Sequence, residues 1–216
     1  MKGVLTMKKI GAIIFFTLAA SAVLSSMVIA GGRPGSTGGC TAVSCLPYQD
    51  VDDTEKADLL YMREEEKLAH DVYLTLYKKW NHRTFNNIAR SEQQHTDAIK
   101  SLLDKYNLED PYTSTVGVFS DEELQTLYDE LVAAGSVSLI EAFRVGATIE
   151  DLDISDLKAC TAASDNSDIK KVYLNLTKGS ERHLKTFVSQ LARYGETYQA
   201  QYLSEDEVEA IVGNVR

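Results

Sequence analysis

Ile88-Ala89-Arg90-Ser91-Glu92-Gln93-Gln94-His95 decides how this chain reads, because it sets Glu-x-x-His inside an amphipathic helical pattern. Residues three apart share one face of a helix, so Glu92 and His95 point the same way. Phe85, Ile88, Ile99 and Leu102 lie on that face and mark it as the inward one. A carboxylate and an imidazole aimed into a helical core are costly unless something pairs with them. In helix bundles that partner is often a metal, since Glu-x-x-His is the ligand pair that carboxylate-bridged di-iron and di-manganese sites take from a helix. Four residues match by chance in many charged helices, so the other helices must aim ligands at the same place.

The chain has 216 residues. Residues 1–30 read as an export signal: Lys8 and Lys9 precede an uncharged apolar run, Ile10 to Ala30, and Val28-Ile29-Ala30 offers a small-residue cleavage site. The same run is long enough to serve as an uncleaved N-terminal anchor, the only membrane attachment expected. Residues 1–30 hold Lys2, Lys8 and Lys9 and no acid, so 19 basic side chains then face 32 acidic ones, a charge of −13. Such a surface excludes nucleic acid as a partner and draws cations. The expected location is therefore periplasmic or extracellular. Cys40 and Cys45 are spaced for a small disulfide loop in an oxidising compartment. Cys160 reads as a buried small hydrophobe.

Residues 31–52, rich in Gly, Ser, Thr and Pro, read as a flexible linker. The folded domain then spans 53–212. Helical spacing predicts long helices from about Asp53 to Trp80, Thr84 to Tyr106, Ser138 to Ala162 and Ser167 to Tyr194. Ser120 with Glu123 and Gly135 bracket a short helix, Ser138 with Glu141 open the third long one, and Ser204 with Glu207 start a terminal one. Short links force the first two long helices antiparallel, and likewise the last two. A crossover of about thirty residues joins the pairs, the connectivity of a ferritin-like four-helix bundle. The expected fold is all-α.

Helical wheels sort the ionisable residues by face. In Glu64-Glu65-Glu66 the apolar stripe runs nearest Glu65, then Glu66, and Glu64 faces solvent. His70 lies off the stripe and is expected to be exposed. On the third long helix Asp153 is near the stripe centre and Glu150 at its edge, while Asp151 reads as an exposed acidic flank. Gly146 leaves room for a close approach. His183 centres the stripe of the fourth, but Ser180 stands where a second Glu-x-x-His would need its glutamate, and Glu181 points about 100° away. The inward set is Glu65 or Glu66, Glu92, His95, Glu150, Asp153 and His183. Carboxylates converging in a dry core cannot all stay ionised without a cation, and a mixed carboxylate and imidazole shell suits iron, manganese or zinc. The bland reading is a polar core satisfied by its own hydrogen bonds.

These residues resemble the ferritin-like superfamily of ferritins, bacterioferritins and rubrerythrins. More closely, Tyr61-Met62-Arg63-Glu64-Glu65-Glu66-Lys67-Leu68-Ala69, Asn87-Ile88-Ala89-Arg90-Ser91-Glu92-Gln93, Val145-Gly146-Ala147 with Ile149-Glu150, and Gly179-Ser180-Glu181-Arg182-His183-Leu184 are similar to a prokaryotic ferritin-like family of unknown function. The likeness covers about residues 54 to 204. It implies Glu65 or Glu66 as the ligand from the first helix, Glu92 with His95 from the second, Glu150 from the third and His183 from the fourth. Ser180 departs from the pattern and puts one metal position in doubt. The closer family implies no particular reaction. The expected function is an exported protein holding one or two transition-metal ions. Its natural chemistry is oxidation of ferrous iron or reduction of peroxide or dioxygen at a di-iron centre, with Glu92 and one neighbouring carboxylate bridging and His95 and His183 as terminal ligands. Pairing into homodimers is common in that superfamily. The alternatives are a non-enzymatic metal carrier and a metal-free helical module of the cell envelope.

Overall fold

Each helix begins on a side chain that caps its free amides. In the computed structural model, which describes residues 48–213, six helices follow one another: α1 (Asp53–Trp80), α2 (Arg83–Tyr106), α3 (Glu122–Gly135), α4 (Leu139–Ala163), α5 (Ser167–Arg193) and α6 (Glu205–Val212). No strand occurs among the described residues. Asp52 and Glu55 cap α1 reciprocally, and Ser204 and Glu207 do the same for α6. Asn81 and Asn107 end α1 and α2 in the left-handed conformation that asparagine tolerates. The start of α3 differs from the expected one. Asp121, not Ser120, accepts from Glu123 N and Leu124 N, while the Ser120 hydroxyl is turned to the Pro111 carbonyl.

The pairing of side chains fixes how the long helices run. Glu66 meets His95 and Tyr73 meets Phe85, so α2 runs back along α1. Tyr73 meets Glu150 and Glu55 meets Ser164, so α4 also runs against α1. Ser91 meets His183 and Tyr106 meets Asp168, which sets α5 antiparallel to α2. An apolar cluster that includes Leu59, Met62, Ile99, Leu157 and Tyr173 fills one end of the core. Aromatic rings fill the other, with Phe85 stacked on Phe143 at 5.3 Å and Tyr73 against Phe187 at 5.2 Å. Gly146 is the reason Phe187 fits, since a Cβ there would lie 2.5 Å from its ring. Between these apolar ends the sequence places its acids and histidines.

The crossover and the C-terminal segment correct three of the surface assignments. Glu64 is buried, accepting from Ser120 N (2.6 Å) and Asp121 N (3.0 Å). Lys67 is buried beside it, paired with Asp71 and donating to the carbonyls of Thr115 and Val118, both at 3.1 Å. Asp71 takes Gly117 N and the His70 ring as well, so His70 is only 14% exposed. Asp151 is not a flank: its carboxylate gathers Tyr198 Oη and the amides of Gln201, Tyr202 and Leu203. In each case an irregular segment with amides to satisfy draws a carboxylate inward. Cys160 is buried and unpaired, as expected. No helix among the described residues is long and apolar enough to cross a membrane. The signal segment 1–30, most of the 31–52 linker and the Cys40–Cys45 loop lie outside the described residues.

Candidate metal centre

Four helices deliver five of the seven candidate ligands to one layer. On α2, Glu92 is 1% exposed and turns its two oxygens in opposite directions. Its Oε2 lies 2.8 Å from His95 Nδ1, and its Oε1 lies 2.7 Å from Nδ1 of His183 on α5. Glu66, from α1, brings Oε2 to 3.2 Å from His95 Nδ1. Glu150, from α4, brings Oε2 to 3.5 Å from His183 Nδ1. The result is two triads, Glu66–Glu92–His95 and Glu92–Glu150–His183, each with its ligand atoms within 4.8 Å of one another. The two histidine rings lie 5.5 Å apart on either side of the shared glutamate.

Short distances here are not all hydrogen bonds. Glu92 Oε1 and His183 Nδ1 approach to 2.7 Å, yet neither has a hydrogen-bond partner, because the ring N–H direction misses the oxygen. Glu66 Oε1 is also without a donor. Orphaned buried polar atoms are rare in folded proteins and call for an explanation. Outside the triads the fit is tighter. His183 Nε2 hydrogen-bonds Ser91 Oγ at 2.9 Å, and Tyr73 Oη donates to Glu150 Oε1 at 2.6 Å. Tyr73 is therefore a support for the layer as well as part of the core.

The charges in the layer act on one another strongly. Burial works to raise Glu92, but the two histidines outweigh it and hold its carboxyl at about 2. Burial works against charged His95, yet Glu66 and Glu92 lift it to about 12. His183, likewise opposed by burial, is lifted to about 10 by Glu92 and Glu150. Glu150 is pushed up to about 7 by burial and then by Glu92. Burial raises Glu66, with His95 pulling the other way.

The remaining two candidates stand apart from the triads. Glu65 faces Asp156 and Asp153 between α1 and α4, where burial and then the Asp156 charge push it well above the usual range. Neither of its oxygens finds a donor. Asp153 sits between the two sets, raised by burial and then by Glu66 and Glu150, with the Ser180 hydroxyl beside it. Ser180 is fully buried and also reaches the Leu176 carbonyl at 3.1 Å. Thus an aspartate from α4 fills space next to the residue that departs from the expected glutamate. Gly179 entered the sequence reading only within the Gly179–Leu184 segment and was given no role. A Cβ there would lie 2.4 Å from His95 Nε2, so the glycine makes room for that ring. A glycine in mid-helix, unfavourable by roughly 1 kcal/mol relative to alanine, was the available signal.

Comparison with known proteins places this chain in a family. The profile described as "Uncharacterized protein domain (DUF2202)" matches residues 55–215. The chain belongs to that family. Within it, the chain is similar to uncharacterized protein MJ0754 of Methanocaldococcus jannaschii, 52% identical over 173 residues, which is 80% of this chain and 94% of the relative. The crystal structure of hypothetical protein MJ0754 from Methanococcus jannaschii covers 78% of this chain and 97% of its own, with a TM-score of 0.77 at 52% identity.

Proposed function

We propose that this DUF2202 chain is a ferritin-like four-helix bundle holding two transition-metal ions, with Glu66, Glu92 and His95 around one and Glu92, Glu150 and His183 around the other. The observation that carries this reading is the Glu92–His183 contact, two buried ligand atoms at 2.7 Å that share no hydrogen bond. Ligands of one ion crowd together in this way, each aimed at the ion instead of at its neighbour. Each triad supplies two carboxylates and one imidazole, which suits iron, with manganese or zinc as alternatives. A bound iron pair would supply electron transfer from ferrous iron to dioxygen or peroxide.

The chain's own residues prepare the site. In the neutral tautomer that carries its proton on Nε2, toward Ser91, His183 would present its Nδ1 lone pair to the layer. Tyr73 fixes the orientation of Glu150 through its second oxygen. The apolar ends of the core lower the local dielectric and strengthen the interactions between the charges they flank. Export through the uncharged run Ile10–Ala30 belongs to the same reading.

Protons compete with metal for these ligands, which gives a pH test. Without metal, His95 and His183 have raised pKa values, so their stabilisation is complete below about pH 6.5 and lost as pH rises toward about 10 and 12. Glu92 is depressed, so its share is present above about pH 4.5 and lost as pH falls toward about 2. Raised Glu150 lowers stability further as pH rises from about 4.5 to about 7. The chelator-treated protein should therefore melt lower at about pH 8 than at about pH 5, while the rise in Tm on adding metal should be larger at about pH 8 than at about pH 6. A metal-induced rise that ignores pH would contradict imidazole ligation.

Ser180 favours one rival, a carrier that binds metal without turnover, since it removes a carboxylate from the expected shell. Anaerobic loading with ferrous iron, then exposure to oxygen or peroxide in an electrode cell, separates the two. Oxygen or peroxide consumption tied to loss of ferrous iron supports the di-iron reading. Tight binding without consumption supports the carrier.

A further inference from the structure

A cavity of about 530 Å³ opens between the start of α2 and the last turns of α5, and His183 with Ser91 forms part of its wall. Three guanidiniums line it, from Arg83, Arg182 and Arg193, and no carboxylate does. That composition is unexpected in a chain whose acids outnumber its bases by ten. Arg63 and Arg144, by contrast, are paired, with Asp110 and Glu196. The three in the cavity make no ion pair among the described residues, and Arg193 has only a long contact to Gln190 at 3.4 Å.

Two further features run against the fold's own interest. Arg83 is the first residue of α2, and that first turn contains no acid, whereas the first turns of the other five helices each carry at least one. A cation at a helix N-terminus opposes the helix dipole, which favours anions there. His82 caps the same helix through its ring nitrogen. Burial and then the charges of Arg83 and Arg193 push its pKa down, so these like charges act on one place. Gathering them is unfavourable unless an anion joins them.

We propose that this cleft binds a small molecule bearing two or more carboxylate or phosphate groups, held by Arg83, Arg182 and Arg193 with one end against Ser91 and His183. Guanidinium forks match both oxyanions, so the shared chemistry is the multivalent oxyanion. The volume exceeds what a single inorganic phosphate fills. Delivery of such a ligand to an ion held by His183 rests on the metal centre proposed above; anion binding itself does not.

Calorimetric titration of the chelator-treated full chain with citrate and, separately, with inorganic phosphate tests the site. Citrate should bind at one equivalent per chain, and Arg83→Gln with Arg182→Gln should weaken it roughly tenfold or more. Arg90→Gln, an exposed arginine outside the cavity, should leave the affinity unchanged. Citrate binding with little for phosphate selects a polycarboxylate; phosphate equal to citrate selects a phosphate-bearing ligand. Because these arginines are exposed, the variants should melt with the parent protein. Absence of binding by both probes, or equal binding by the arginine variants, overturns the proposal. Because the titration uses metal-free protein, failure of the metal reading and failure of this one are told apart.

Discussion

Glu92→Ala is expected to remove metal from both positions at once, the largest effect of any single substitution in this protein. Glu92 alone belongs to both triads, with one oxygen toward His95 and the other toward His183. Glu66→Ala and Glu150→Ala each open only one triad, so each should retain about half of the bound metal. The metal-free variant should also lose stability, by about 3–5 kcal/mol, because two buried imidazoliums are left without the carboxylate between them. Elemental analysis beside urea denaturation measures both effects. Equal metal content in Glu92→Ala and Glu66→Ala would show that Glu92 does not bridge.

Ser180→Glu should have the next largest effect, with opposite signs in the two states of the protein. Ser180 is fully buried beside Asp153, close to a layer that already holds Glu66, Glu92 and Glu150. A new carboxylate there is unpaired in the metal-free protein and should cost roughly 3 kcal/mol or more. With metal the same group restores the second Glu-x-x-His and should raise ferrous oxidation and reverse the fall in Tm. Metal titration alongside thermal melts reads both. A lower Tm with no gain in bound metal would leave a polar core that holds no ion.

Helix limits were legible because they are local. Asp52 with Glu55, Ser204 with Glu207 and the breaks after Trp80 and Tyr106 involve residues within a few positions of one another. The inward direction of Glu92, His95, Glu150 and His183 was legible for the same reason, since each sits on its helix's apolar stripe. Burial of Glu64, Lys67, Asp71 and Asp151 was not. Their partners are backbone groups on the crossover and the C-terminal segment, 46 to 57 positions away. A wheel drawn on one helix carries no trace of such loops. The choice between Glu65 and Glu66 also stayed open in the sequence. Both are inward, and they part because they meet different neighbours of α1: Glu66 turns to α2 and Glu65 to α4.

Diffraction at the iron absorption edge from crystals of anaerobically loaded protein tests the central claim most directly. The account predicts two anomalous peaks about 3.5–4 Å apart on either side of the Glu92 carboxylate. Each should lie about 2.0–2.2 Å from its histidine Nδ1, one at His95 and the other at His183. A layer showing only water and hydrogen bonds between these side chains, with no anomalous peak, would contradict it.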